Sequence, residues 1–356
     1  RSSCTFSSEG PMATYKTYNK IFFIVVISAI CVVVSLNVTL DIRRVFGLCT
    51  WNKKYLNVNV RFLKFEHLIK ARGPYDAFIV GSSRANFMDV HLASRLSGLH
   101  YYSLASAAEQ LDRIHRKLEW LKEQGMPVRQ VILALDFDFM FLADDLTETT
   151  LVTKEHPAVS GESVTDFYLP YVIQFDGNNW KKLFKEVVIQ KKPVRFTFET
   201  STGHWFYPDR DQDIARDPEK YLKERFSYEI PYERGDHRMP VNLARLMVLV
   251  RFLDEERIPR IVVINPYHHY AFENFSKEEY RTWLKEVVAI CGAVWDFSGL
   301  NPVTQDDHLY YESSHFRWPV GDRVLKRVLG AAPAGQGLKE GGFGVLLTRE
   351  NIDDHL

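Results

Sequence analysis

The chain has 356 residues, with 45 basic and 45 acidic side chains. That balance removes any electrostatic case for a nucleic-acid partner, and the length allows one large domain with a sizeable core. Aromatic residues make up 13%, which suits a packed enzyme or a carbohydrate-contacting surface and decides neither. The 4 cysteines, Cys4, Cys31, Cys49 and Cys291, are too scattered for a disulfide framework. A Cys49–Cys291 pair requires the segment around Cys49 to fold back, which the sequence leaves open. No metal-ligand spacing is evident, and no cofactor is expected.

In chain order, residues 1–20 read as a polar, disordered tail in which Met12 offers a start site. Residues 21–40 carry no formal charge and are rich in Ile, Val and Phe. About twenty such residues suffice to span a bilayer core. A cleavable signal peptide is the alternative, but the length and the lack of a small-x-small cleavage site favour an anchor. Lys16 and Lys20 precede the span, whereas Arg43, Arg44, Lys53 and Lys54 follow it. The charge bias therefore does not favour an outside domain, yet a long domain translocates regardless of flanking charge. The expectation is a single-pass cell-membrane protein with a periplasmic or extracellular domain. Residues 41–74 read as a juxtamembrane stalk with a helical pattern in Phe62, Phe65, Leu68 and Ile69.

From 75 to 330 apolar strands alternate with amphipathic helices. Strands are expected at 77–81, 101–105, 131–137, 261–265 and 293–297, and helices at 86–96, 109–124, 240–254, 277–290 and 320–329. The alternation argues for an α/β domain with a parallel sheet of about five strands. Residues 142–239 break the pattern and read as an insertion, either a lid or substrate-binding subdomain or a packing elaboration. Residues 331–356 read as a tail, with a Gly-rich linker at 331–344 and a docking peptide at 345–356.

Two short blocks carry chemistry. The first expected strand ends in Gly81-Ser82-Ser83-Arg84. A hydroxyl at the carboxyl end of a strand lies where open α/β sheets hold ligands, and backbone N–H groups there could face an oxyanion. The competing role for such a serine is a helix N-cap. The second block is Glu312-Ser313-Ser314-His315. Its spacing lets the carboxylate and the imidazole share one side of a turn, so that Glu312 accepts from one ring nitrogen and the other is free to take a serine proton. Ser82 is expected to tolerate replacement. Asn265 and His268 follow the fourth expected strand and are candidate oxyanion or substrate donors. Asp136 and Asp138 are not expected to act as a metal pair.

An early Gly-x-Ser and a late acid-x-x-His resemble the SGNH (GDSL-like) hydrolase superfamily. The frame from Trp295-Asp296-Phe297 through His315-Phe316 to Val320-Gly321-Asp322 resembles its membrane-anchored bacterial branch. That branch is similar in plan to the teichoic-acid D-alanyl transfer protein and to polysaccharide O-acetyltransferase partners. The resemblance covers roughly residues 75 to 330. It implies a flavodoxin-like three-layer α/β/α fold, with Ser83 as nucleophile, His315 as base and Glu312 as orienting acid. The implied activity is an esterase or O-acyltransferase acting on cell-surface glycan. Its partners would be that glycan, an acyl donor and a membrane-bound O-acyltransferase. A catalytically silent accessory protein and a lipid-facing hydrolase are the other readings. The chain departs from the family in having Glu for the usual Asp. The oxyanion Gly and Asn blocks are replaced by Leu104-Ala105-Ser106-Ala107, which leaves Ser106 as a candidate, and by Leu135-Asp136-Phe137-Asp138, where a carboxylate would repel an oxyanion.

Overall fold

Every residue of Ala77–Gly81 is buried, and this run is the first strand, β1, of a six-stranded sheet. The computed structural model describes residues 11–48, 58–71, 73–141, 151–175, 177–183, 185, 196–228, 238–330 and 342–355. The polar tail before residue 11, Cys4, Cys49 and most of the Gly-rich linker lie outside them. Two helices precede β1: α1 (Pro11–Leu40) and α2 (Val60–Ala71). After β1 come α3 (Val90–Ser97), β2 (Tyr101–Ser103), α4 (Leu111–Glu123) and β3 (Gln130–Leu135). Outside the sheet follow α5 (Pro157–Ser160), α6 (Val164–Ile173), α7 (Gly177–Leu183), β4 (Thr197–Glu199), β5 (His204–Phe206), α8 (Pro208–Arg216) and α9 (Pro218–Arg225). The alternation resumes with α10 (Met239–Glu255), β6 (Arg260–Ile264), α11 (His269–Glu273), α12 (Lys277–Cys291) and β7 (Ala293–Asp296). The chain then forms β8 (Tyr310–Glu312), β9 (His315–Phe316), α13 (Trp318–Leu329), β10 (Val345–Thr348) and α14 (Ile352–His355).

The sheet order is β10-β7-β6-β3-β1-β2, parallel throughout except for β10, which runs antiparallel to β7. Side chains alternate between two cores, as a period of two requires. Phe78, Val80, Val131, Leu133, Val262 and Ile264 pack with α4, α10 and α12. Ala77, Ile79, Ile132, Ala134 and Val263 pack with α3 and α13. The connections leaving β1 and β3 go to opposite sides, which opens a crevice at their carboxyl ends.

Three segments differ from expectation. α2 is no stalk: Phe65 and Leu68 join the main core, and the ring of Phe65 meets Trp120 of α4 at 5.2 Å. Its Arg61 and Lys64 are buried as well, with Arg61 bonded to Glu109 at 2.9 Å and Glu155 at 3.1 Å. Val345–Thr348 is no loose peptide but the sixth strand, burying Leu347 and covering the edge of β7. The helix expected at 86–96 is split into a 3-10 turn (Ser83–Phe87) and α3, because the side chain of Asp89 accepts from His91 N and starts a new helix there.

The inserted pieces are stitched to the sheet's carboxyl edge. Asn86 exchanges two hydrogen bonds with the backbone of Trp205, at 2.9 and 3.0 Å, and Ser103 N donates to Thr202 O at 3.0 Å. α1 is long and apolar enough from Tyr15 to Leu40 to cross a membrane, and it begins earlier than the expected span.

α13 approaches the turn after β1 so closely that a Cβ at Gly321 would lie 1.7 Å from Phe87 O. Gly321→Ala is therefore expected to overpack this contact and lower stability by ~1–3 kcal/mol, read as a fall in the thermal or urea midpoint.

Candidate active site

Gly81 ends β1 at φ +150°, and a Cβ there would come within 2.6 Å of Ala134 O, so only glycine lets the chain turn at this point. The next two serines divide the two roles that the sequence left open for one. Ser82 is the buried cap: its Oγ accepts from Arg84 N at 3.2 Å, and it also bonds Asp136. It is therefore not the neutral neighbour that was expected. Ser83 is partly exposed, and its Oγ lies 2.8 Å from Nε2 of His315.

Glu312 and His315 are cross-strand partners in the β8–β9 hairpin, joined through Ser313 and Ser314. Nδ1 of His315 is in close hydrogen-bond contact with Oε1 of Glu312. A ring that donates from Nδ1 to a carboxylate presents a lone pair at Nε2, so Ser83 O–H donates to it. Glu312 is held in turn by Arg210 of α8, whose Nη1 lies 2.7 Å from Oε2. Burial works to raise the Glu312 pKa, but His315 and Arg210 outweigh it and hold the carboxyl below its ordinary value. Nothing local in the sequence marks Arg210, which reaches the site only because the inserted segment folds over the hairpin. Tyr221 OH donates to Tyr311 O at 2.9 Å, and Tyr311 OH donates to Asp211 Oδ1 at 2.6 Å, which fixes that fold-over.

Beneath the three residues lies Arg84, fully enclosed. Its Nε donates to Ser314 O at 2.7 Å and its Nη2 to Ser314 Oγ at 3.1 Å. Nη1 donates to Asp136 at 3.0 Å and Asp138 at 2.9 Å, and Nη2 to the other oxygen of Asp138 at 2.8 Å. The guanidinium also stacks on Tyr267, 4.7 Å from the ring centre. Burial alone would lower the Arg84 pKa, but Asp138 and Asp136 together raise it well above the ordinary value. Asp136 and Asp138 thus converge on one cation, as two residues on the same face at a strand end can. Both carboxylates lie just past the end of β3 at Leu135, and Asp138 begins a 3-10 turn.

The expected oxyanion donors do not assemble. Ser106 is buried, its hydroxyl donates to Leu104 O at 3.3 Å, and its N–H donates to Gly81 O. The amide nitrogen of Asn265 donates to Asp136 Oδ1 at 3.0 Å. His268 has Nε2 2.7 Å from Asp307 and Nδ1 accepting from Tyr270 N at 3.3 Å, so it caps α11. Two N–H groups of the turn after β1, those of Arg84 and Ala85, fold back onto Ser82. Asp136 meets Arg84, Ser82 and Asn265 rather than an open position.

His268, His269 and Asp307 bring ligand atoms within 4.8 Å of one another, a grouping that linear spacing could not show. With Nδ1 accepting from Tyr270, Nε2 of His268 carries the proton it gives to Asp307. A cation there would require the opposite tautomer, so the group is arranged as a hydrogen-bonded cap. Cys31 and Cys291 are free thiols, one exposed on α1 and one buried on α12.

No protein-family model and no curated protein matches the chain.

Arg84→Met would leave two buried carboxylates without their cation. Breaking one partner of a buried pair costs about 3–5 kcal/mol, so a loss of this order is expected near neutral pH by urea titration. Burial already raises the Asp136 pKa in the folded state, and Arg84 opposes that rise. A folded carboxyl with a raised pKa destabilises above its unfolded value and ceases to do so below it. The difference between wild type and variant should therefore shrink as pH falls towards about 4, the value of the unfolded carboxyl.

Proposed function

We propose that the protein is a membrane-anchored, serine-dependent esterase or O-acyltransferase acting on cell-surface glycan or its precursors. In this reading the domain has the flavodoxin-like three-layer fold of the SGNH (GDSL-like) hydrolases and lies on the outer face of a single-pass anchor. One observation carries it: Ser83, His315 and Glu312 form a continuous hydrogen-bonded chain between segments 232 positions apart. A capping serine and a surface histidine have no physical reason to meet across such a separation. The strand order supports the placement, because Ser83 follows a strand at the reversal point of the sheet.

The chemistry follows from the geometry. Oγ of Ser83 attacks the acyl carbonyl while Nε2 of His315 takes its proton, and ionised Glu312 holds the imidazolium through Nδ1. His315 then gives that proton to the departing alkoxide, leaving an acyl-serine. Water or a sugar hydroxyl attacks the acyl-serine and loses its own proton to His315. His315 returns that proton to Ser83 Oγ as it departs, which releases a free acid or a new ester and restores the starting state. The acyl donor is a small ester or a group passed on by a membrane-bound acyltransferase.

A second reading, a silent accessory protein that binds glycan or that acyltransferase, is favoured by a separate observation. The side-chain donors of Ser106, Asn265 and His268 are all engaged elsewhere, which leaves the oxyanion few partners.

Incubation with a fluorophosphonate probe and a chromogenic acetyl ester separates the two. The active reading expects wild type to be labelled and Ser83→Ala to lose labelling and turnover by ~10⁴-fold or more, with an unchanged melting curve. Wild type that takes up no probe and hydrolyses no ester would leave the accessory reading. Arg210→Met tests the fourth member of the chain. Freeing one oxygen of Glu312 should slow acylation by roughly ten- to a hundredfold through loss of orientation. Stability should change by no more than about 1 kcal/mol, because the ion pair is partly exposed.

A further inference from the structure

The last turns of α1 are not free. Residues 33–40 are largely covered, Asn37 is buried, and its carboxamide donates to Val172 O at 2.8 Å and Gln174 O at 2.9 Å. These carbonyls belong to the end of α6, so the end of the apolar helix and the end of α6 are locked at one level. α6 has two unlike faces. Phe167 and Tyr171 point inward and pack with Val58 and Phe62. Leu169 and Ile173 point outward with the following Phe175, and they are 47%, 54% and 72% exposed. The ring of Phe175 meets that of Trp180 on α7 at 5.1 Å, and Lys181, beside it in the chain, is exposed.

An apolar outer face, an aromatic pair and a lysine, bolted to the mouth of a helix long enough to span a bilayer, have the composition of an interfacial element. We propose that α6 and α7 rest in the membrane interface, with Leu169, Ile173 and Phe175 entering the boundary between headgroups and acyl chains of a phospholipid bilayer. The inference rests on reading α1 as a membrane span. The depths agree: residues 21–40 rise about 30 Å, the thickness of the hydrocarbon core. By the same rise Asn37 lies about 4–5 Å inside its end, close to the ~5–10 Å at which interfacial helices bury. At that depth no water reaches the carbonyls that end α6. A carboxamide from the span satisfies them instead, which accounts for a buried Asn near the end of an otherwise apolar helix. The same bonds make α1 an integral part of the fold, unlike a cleaved leader.

The test uses the full-length chain with Cys4, Cys31, Cys49 and Cys291 replaced. Single spin labels are placed by Leu169→Cys, Ile173→Cys and Phe175→Cys, with Ile27→Cys in the span and Glu286→Cys on the exposed face of α12 as references. All five positions are exposed, so the labels replace no core contact. The protein is reconstituted in phosphatidylcholine vesicles containing phosphatidylglycerol, and each label's accessibility to oxygen and to a water-soluble nickel chelate is measured. The expected result is an oxygen-to-nickel ratio several-fold above that of Glu286→Cys at the three α6 positions, and higher still at Ile27→Cys. Labels on α6 that behave like the one at 286 would overturn the proposal. So would labels shielded from both reagents, which would show a protein partner or a second copy on that face. A water-exposed label at Ile27→Cys would instead remove the membrane span itself, and the proposal with it.

Discussion

A single buried guanidinium organises the carboxyl edge of this sheet. Arg84 is the residue after Ser83, yet its donors reach the end of β3 through Asp136 and Asp138 and the hairpin turn through Ser314. Three segments distant in sequence are thereby held to one charged plane. In a low-dielectric interior such a cation persists only if its partners surround it, and two carboxylates, a hydroxyl, a carbonyl and the face of Tyr267 do so. The hydrogen bond between Ser83 and His315 is a consequence of this arrangement. The backbone on either side of it is pinned by the same arginine.

The inserted segment plays a second part in the same assembly. α8 supplies Arg210 to the far oxygen of Glu312 and Asp211 to Tyr311, and α9 supplies Tyr221 to the backbone of Tyr311. A glutamate has one more rotatable bond than the aspartate common in the resembling family. An arginine on its second oxygen restores the orientation that the longer chain would lose. The insertion is therefore structural support for the hairpin, whatever else it covers.

What the sequence disclosed follows the range of the interactions involved. Ser83, Glu312 and His315 were legible because each belongs to a short local pattern: a strand that breaks at Gly-Ser-Ser, and an acid and a histidine two serines apart. The five parallel strands were legible because buried strands are continuous apolar runs, and their ends differed from expectation by only a few residues. Asp136 and Asp138 share a face by their spacing of two, but the buried Arg84 they meet comes from another segment that no local pattern encodes. Ser106, Asn265 and His268 have donor chemistry and lie at strand ends, but their bonds depend on neighbours that no local pattern encodes. Arg210 lay beyond reach for the same reason. The Phe62, Phe65, Leu68 spacing of α2 shows a helix, but its docking on the core depends on distant partners such as Trp120 that no local pattern encodes. β10 is a short strand beyond a Gly-rich stretch, and pairing with β7 is what defines it.

That last strand has a consequence for biogenesis. β7 is an edge strand until Val345–Thr348 arrives to pair with it, so the backbone groups on its outer side stay unpaired while the intervening chain is still being made. The hydrogen bond between Ser83 and His315 likewise waits for residues 232 positions downstream. During synthesis the nascent chain therefore carries a nearly complete sheet with an adhesive rim at β7. Such a rim is prone to pairing with a neighbouring nascent chain. Pairing with an antiparallel strand moves that edge from β7 to the 4-residue β10, and it does so late, after every parallel strand has been delivered.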